Sequence, residues 1–251
     1  MVHFVGAGPG AVDLITLRGA KLLAEADIII YAGSLVNPEL LENRKPECQV
    51  YNSASMTLEE VIAVMENGAK NSCKVVRLHT GDPSLYGAIR EQMDWLDKLQ
   101  IPYDVTPGVS SFSGAAAALK AEYTLPNVSQ TVIITRAEGR TPVPEKERLR
   151  DLAAHQATMV LFLSTGLLDK VEQELMAGGY APDTPAAIVY KATWKGEKVF
   201  YCTVSTLAET AKKHGIRQTA LITVGGFLGD TYDRSKLYDP GFSHGCREAS
   251  L

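Results

Sequence analysis

The chain is poor in the residues that would point to disulfide, zinc or hydrolytic chemistry. Its four cysteines, Cys48, Cys73, Cys202 and Cys246, are scattered. No CxxC pair occurs, and no Cys/His cluster has zinc-ligand spacing, so no metal site is expected. Reduced thiols in a cytoplasmic protein are expected instead. No apolar run approaches the roughly 20 residues that cross a bilayer. The N-terminus has no basic stretch leading into an apolar one, so neither a signal peptide nor a membrane partner is expected. A GxSxG elbow and a P-loop are both missing, and the five histidines are dispersed. These absences count against a serine hydrolase and a P-loop nucleotidase. There is no basic surplus either. Lys and Arg number 25 against 29 Asp and Glu, a net charge of -4, which argues against a nucleic-acid partner.

What is present is an ordinary globular composition, 45% apolar and 22% charged over 251 residues, enough for one large domain or two modest ones. The first half alternates short apolar runs with helical periodicity. Strands are expected at residues 2–5, 27–31, 74–78 and 103–106. Helices are expected at 14–24 with Asp13 as cap, at 58–67, from the 80–84 loop to about 99, and at 113–119. This βαβα rhythm predicts a mostly parallel sheet with helices on its faces. The second half predicts strands at 130–135, 159–163, 186–190, 198–204 and 220–224, with helices only at 167–177 and 207–214. The 186–190 and 198–204 strands suit an antiparallel pair. The expected fold is therefore α/β in two domains. The N-terminal one (1–120) has a mostly parallel sheet, the C-terminal one (121–232) a mixed sheet, and 233–251 form a polar tail.

Ligands of an open parallel sheet bind outside the C-terminal ends of its strands. Three loops should meet there: Gly6-Ala7-Gly8-Pro9-Gly10, Thr80-Gly81-Asp82-Pro83-Ser84, and Pro107-Gly108. The first is not a dinucleotide fingerprint. Its spacing is GxGxG, and Pro9 removes an N–H that a pyrophosphate would use. The acid that should end the second strand is missing, since Asp27 begins that strand and Tyr31 ends it. Taken alone, the loop could be a tight turn and nothing more. Asp82 suits a ligand carrying hydroxyls, an ammonium or a sulfonium rather than phosphates. S-adenosylmethionine carries those three groups and no phosphate. Asp82 followed by Pro83 also reads as a helix N-cap, and the two readings are compatible.

Residues 5–17 (VGAGPGAVDLITL), 79–87 (HTGDPSLYG) and 107–114 (PGVSSFSG) resemble the tetrapyrrole, or class III, methyltransferases in order and spacing. The likeness runs from Met1 to about Gly229. Residues 31–36 and 125–136 (LPNVSQTVIITR) are similar to the branch that methylates precorrin-4 at C(11). Residues 137–144 and 190–194 are similar to its anaerobic form, which takes cobalt-precorrin-4. The resemblance implies two α/β domains with the cofactor, S-adenosylmethionine, in the cleft between them and S-adenosylhomocysteine as product. It implies a tetrapyrrole substrate and a homodimer. It points to Pro9, Thr80, Gly81, Asp82, Leu85, Ser110 and Ser111 as cofactor contacts, and in the second domain to Leu163, Ala192, Thr219 and Ala220. Siroheme-forming relatives often carry Met in place of Leu163 and Gly in place of Ala192, exchanges that an apolar or backbone contact tolerates.

The many carboxylates of such a substrate call for cations and N–H donors. Arg77 and His79 alternate with apolar residues near the ligand end of their strand, so they either face substrate or form a satisfied polar pair under a loop. Arg136 and Lys191 are further candidates. Arg140 reads as surface, and Trp194 either flanks the Ala192 cofactor contact or covers core. Tyr31 and Ser34 line either a trough or a plain turn. The electron-rich ring carbon is itself the nucleophile of an in-line displacement, so no covalent nucleophile is needed and the protein's main work is to position two reactants; either a base removes a ring proton or electron redistribution makes one unnecessary, and no residue is assigned as that base. Competing readings are a same-fold methylase of rRNA or diphthamide precursors, a non-catalytic sensor, and a nicotinamide oxidoreductase.

Overall fold

The computed structural model describes residues 1–250, with only the backbone of Ser34. By its internal contacts the chain forms two units. One is Met1–Gly114 with Ala192–Gly196, and the other is Ala115–Lys191 with the chain from Glu197 onward. Among the described residues no helix is long and apolar enough to cross a membrane.

The first unit is built on a five-stranded sheet of β1 (Val2–Gly6), β2 (Ile28–Tyr31), β3 (Gln49–Asn52), β4 (Val75–His79) and β5 (Tyr103–Thr106). The strand order is β3-β2-β4-β1-β5, and every pairing is parallel. The middle strands are buried on both faces because helices cover both. Phe4, Ile30 and Val75 pack against Val61 and Met65 of α2 (Leu58–Lys70) and Leu96 of α3 (Arg90–Lys98). Val5, Ile29 and Leu78 pack on the other face against Leu23 of α1 (Leu17–Glu25). A further helix, α4 (Ser111–Leu119), starts at the end of this unit.

Local chemistry sets the helix starts. Thr16 Oγ1 accepts the Gly19 N–H at 3.1 Å and caps α1. Asp13, the cap expected from sequence, instead lies in a 3-10 turn over Val12–Leu14. Thr57 and Glu60 form a reciprocal capping box on α2. The helix expected straight after Pro83 begins only at Arg90. The intervening chain doubles back so tightly that a Cβ on Gly87 would overlap the Pro83 carbonyl oxygen, and Tyr86 and Ala88 both take left-handed φ values.

The second unit has a mixed sheet, as its strand spacing predicts. Its strands are β6 (Val132–Arg136), β7 (Thr158–Phe162), β8 (Pro185–Tyr190), β9 (Lys198–Thr203) and β10 (Ala220–Val224), in the order β6-β7-β10-β8-β9. Only β6 and β7 run parallel. The expected β8–β9 antiparallel pair is present, in register from Pro185 opposite Thr203 to Tyr190 opposite Lys198. Three helices, α5 (Leu149–Ala153), α6 (Leu168–Ala177) and α7 (Leu207–Lys213), cover one face and bury Leu149, Val171, Leu175 and Leu207 against Met159, Leu161, Ile188 and Ile222.

Candidate functional site

In the first unit the loops after β4, β1 and β5 issue from three adjacent strands and interlock through glycine. Gly8 and Gly81, both at positive φ, exchange backbone hydrogen bonds. The Gly8 N–H donates to the Gly81 carbonyl at 3.2 Å, and the Gly81 N–H donates to the Gly8 carbonyl at 2.8 Å. A Cβ on Gly6 would press on the Gly108 Cα and the Gly81 oxygen, and one on Gly108 would overlap that same oxygen. Only hydrogen fits at these approaches. Ser110 and Ser111 follow directly, with the Ser111 N–H nitrogen 3.5 Å from where a Gly81 Cβ would stand. Ser110 is buried, while Thr80 and Leu85 are half-buried.

Asp82 ties this cluster together. Its Oδ2 accepts the Gly108 N–H at 2.8 Å, and its Oδ1 accepts the Ser84 N–H at 2.8 Å and the Ser84 hydroxyl. It caps a turn at the head of an irregular loop, not a helix. Partial burial pushes the carboxyl up, but the hydrogen bonds from Ser84 and Gly108 outweigh that and hold it below the ordinary carboxylate range. It is ionised at neutral pH.

The glycine loop is no pyrophosphate cradle. The Ala7 N–H donates to the His79 carbonyl, the Gly8 N–H to Gly81, and the Ala11 N–H to Thr193 Oγ1. Pro9 has none to give. Three N–H groups of the 7–11 run are thus engaged within the protein, and no anion nest is left of the kind phosphates need. A ligand with hydroxyls and a positive charge fits this donor and acceptor set, next to an ionised carboxylate, better than a phosphate does. Asp27 lies at the other end of β2, where it accepts from Lys45 Nζ and the Lys74 N–H, both at 2.7 Å.

The polar residues of β4 sit deeper than a substrate contact would. Arg77 is 6% exposed. Its Nε donates to Gln92 Oε1 at 3.1 Å and its Nη1 to the Ile30 carbonyl at 3.2 Å. Burial pulls its pKa down to about 10. This is the locally satisfied arrangement. His79 is 3% exposed, with its ring near Phe4 and no hydrogen-bond partner for Nε2. Burial and the neighbouring Arg77 charge lower its pKa to about 3, so it is neutral. Tyr31 is half-buried at the end of β2, and its carbonyl accepts the Ser53 hydroxyl at 3.1 Å. Ser34 belongs to a 3-10 turn over Gly33–Leu35, and its side chain lies outside the described residues.

Ala192 is buried in the short segment Ala192–Gly196 of this unit. Sequence reasoning did not foresee how that segment fastens the glycine loop. Trp194 Nε1–H donates to the Pro9 carbonyl at 3.0 Å, and Asn37 Nδ2–H donates to the Gly10 carbonyl at 2.8 Å. Trp194 and Pro9 are 185 positions apart, and nothing in the local sequence links them.

In the second unit the remaining candidates gather at one edge of the sheet, where β7 and β8 end and β10 begins. The Lys191 N–H donates to the Thr219 carbonyl at 2.9 Å. Ala220 opens β10, paired with Tyr190. Leu163, Lys191 and Thr219 all take left-handed φ values, 53°, 49° and 58°. Three non-glycine residues so placed at one edge mark a backbone held by its surroundings. Leu163 is also 67% exposed. Lys191 Nζ lies 5.4 Å from the Tyr190 ring centre. Arg136, at the end of β6, donates to the carbonyls of Thr141 (3.1 Å) and Pro142 (2.6 Å), so its guanidinium organises the loop that follows it.

The sequence model of the family described as Tetrapyrrole (Corrin/Porphyrin) Methylases matches residues 1–208. The cobalt-precorrin-4 C(11)-methyltransferase of Methanocaldococcus jannaschii is 57% identical over 99% of this chain and 96% of its own length. The solved structure of a cobalamin biosynthetic enzyme, cobalt precorrin-4 methyltransferase, superposes with a TM-score of 0.89 at 48% identity, covering 91% of this chain and 96% of that one. A uroporphyrin-III C-methyltransferase from Thermus thermophilus, solved in complex with S-adenosylhomocysteine, has a TM-score of 0.74 at 26% identity, covering 90% of this chain and 92% of that one.

Proposed function

We propose, because this chain belongs to the tetrapyrrole (corrin/porphyrin) methylase family, that it transfers a methyl group from S-adenosylmethionine to C(11) of cobalt-precorrin-4. The observation that carries this reading is the near-full-length likeness to proteins named for that substrate, one by sequence and one by structure. The site geometry supports the cofactor half. Three N–H groups of the glycine loop are engaged, and an ionised Asp82 stands beside it, an arrangement suited to a cationic, hydroxyl-bearing ligand.

When bound, S-adenosylmethionine supplies an electrophilic methyl group on a sulfonium sulfur. Pro9, Thr80, Gly81, Asp82, Leu85, Ser110, Ser111 and Ala192 would hold it in the first unit. Leu163, Thr219 and Ala220 are the second unit's own candidates for cofactor contact. Gly6, Gly81 and Gly108 keep the backbone close and rigid there. Asp82 holds the Thr80–Ser84 loop against the Gly108 loop and contributes negative charge. These residues bind and orient. The chain needs no covalent nucleophile, because the acceptor carbon is the nucleophile and the rate comes from alignment. Tyr31, Ser34 and Lys191 are the residues we assign toward the tetrapyrrole, with Arg77 and Arg136 supporting them through the Ile30 carbonyl and the 141–142 carbonyls, and with buried His79 holding the glycine loop through its carbonyl, which accepts the Ala7 N–H.

Calorimetric titration with S-adenosylhomocysteine, with NADH and ATP as controls, tests the cofactor. Saturable binding of the first alone is expected. Mass analysis of cobalt-precorrin-4 incubated with the protein and S-adenosylmethionine tests the reaction, and gain of one methyl group is expected. Folded, ligand-free protein that ignores S-adenosylhomocysteine would overturn the reading.

A further inference from the structure

We propose that Trp194 and Thr193 are positioning residues for the glycine loop, setting the backbone of Pro9 to Ala11 in the shape that receives the adenosyl cofactor. The proposal rests on the cofactor reading above.

Three consecutive residues of the loop are each fixed by a side chain from outside it. The Pro9 carbonyl accepts Trp194 Nε1–H at 3.0 Å, the Gly10 carbonyl accepts Asn37 Nδ2–H at 2.8 Å, and the Ala11 N–H donates to Thr193 Oγ1 at 3.0 Å. Steric fit adds to the hydrogen bonds. A Cβ on Gly10 would fall inside the Trp194 indole, so glycine is needed there because the ring occupies that space. Opposite, a Cβ on Gly114 would press on Pro9 at 3.0 Å and on the Thr193 methyl at 3.1 Å.

Thr193 is β-branched yet has φ 68°, a conformation such residues rarely adopt unless their surroundings impose it. Its strained backbone aims the hydroxyl at Ala11. Next to it, Lys195 Nζ pairs with Glu39 Oε1 at 2.6 Å, which anchors the segment to the same stretch that supplies Asn37. The indole is half-buried, so core cover alone does not account for an N–H aimed at a loop carbonyl. Phenylalanine in place of a tryptophan that only filled space would cost packing but leave the ligand's affinity unchanged; in place of a positioning tryptophan it would cost affinity as well.

The test uses the full chain with S-adenosylhomocysteine as probe. Trp194→Phe keeps an aromatic ring but removes the N–H donor and part of the indole's bulk. Thr193→Val keeps the shape and removes the acceptor, while Thr193→Ser retains it. Trp194→Phe and Thr193→Val should each weaken binding about 3- to 10-fold, the worth of one net hydrogen bond. Thr193→Ser should stay near wild type, and amide exchange at Ala11 should accelerate in Thr193→Val but not in Thr193→Ser. Wild-type binding with unchanged affinity in both Trp194→Phe and Thr193→Val would overturn the proposal. So would an equal loss in Thr193→Ser and Thr193→Val. Wild-type protein that does not bind would instead sink the cofactor reading itself.

Discussion

Asp82 Oδ2 accepts the backbone N–H of Gly108 at 2.8 Å, which ties the loop after β4 to the loop after β5 across β1, the strand between them. The carboxylate therefore serves the site in two ways. It is a charge beside the glycine loop, and it is the brace that sets the spacing of two loops.

Removing that brace should be felt by the ligand. Asp82→Ala is expected to weaken S-adenosylhomocysteine by about 10-fold or more, since a hydrogen bond to a charged group contributes about 1.5–3 kcal/mol. The pH dependence follows from the lowered carboxyl. Its stabilising effect is present above the unfolded value, about 3.9, and is lost as pH falls through the lower folded value. Acid unfolding curves of wild type and Asp82→Asn should converge at the lowest pH and separate above about pH 4. Curves that stay parallel throughout would remove this role.

Gly108→Ala probes the glycine interlock. The new methyl group would overlap the Gly81 carbonyl oxygen and approach the Gly6 Cα at 2.7 Å. Backbone cannot yield there as a flexible side chain would. Unfolding should become easier by more than about 2 kcal/mol, in the upper range for single substitutions. A denaturant midpoint like that of wild type would show that the loops have slack.

Buried His79 makes a prediction of its own. Its folded pKa, about 3, lies below its unfolded value of about 6.5. Between those values the unfolded chain binds a proton that the folded chain refuses, so stability falls on acidification. His79→Leu should flatten the slope of unfolding free energy between pH 6 and 4 by up to about 1.4 kcal/mol per pH unit. With Nε2 unpartnered, it should cost little at pH 7. An unchanged slope would mean that the imidazole reaches solvent.

Leu163 separates backbone strain from function. It sits at φ 53° with its side chain 67% exposed. Glycine there relieves about 1–2 kcal/mol of left-handed strain and gives back about 0.5–1 kcal/mol through greater freedom of the unfolded chain. Leu163→Gly should thus leave the thermal midpoint equal or slightly raised while S-adenosylhomocysteine binding weakens. A lower midpoint with full binding would reverse the assignment.

The sequence was most legible where burial dictates pattern. The apolar runs of β1, β2, β7, β8 and β10 predict strands within a residue or two of where they lie, because these strands are largely buried on both faces. Gln49–Asn52 escaped notice because β3 is an edge strand with mostly exposed residues and no apolar run. Leu149–Ala153 is too short to show helical periodicity. Pro83 read as a helix start, but tertiary packing spends seven residues on a tight return before Arg90. Within the site, the three loops were visible as glycine punctuation. The left-handed turns at Leu163, Lys191 and Thr219 were not, since none is glycine, and Arg77's inward orientation depends on Gln92, a partner on another element.

The bond between Trp194 and Pro9 also bears on how the protein is made. The glycine loop leaves the ribosome well before its outer clasp, which lies 185 residues downstream. At roughly 5–20 residues per second, the nascent loop waits on the order of 10 to 40 s before that clasp exists. In that interval β1, β4 and β5 can already pair, and Gly81 can already meet Gly8. A chain released at Gly114 would therefore carry every strand of the first sheet and an unclasped loop. Readiness for the ligand arrives late in translation, after Trp194 has emerged.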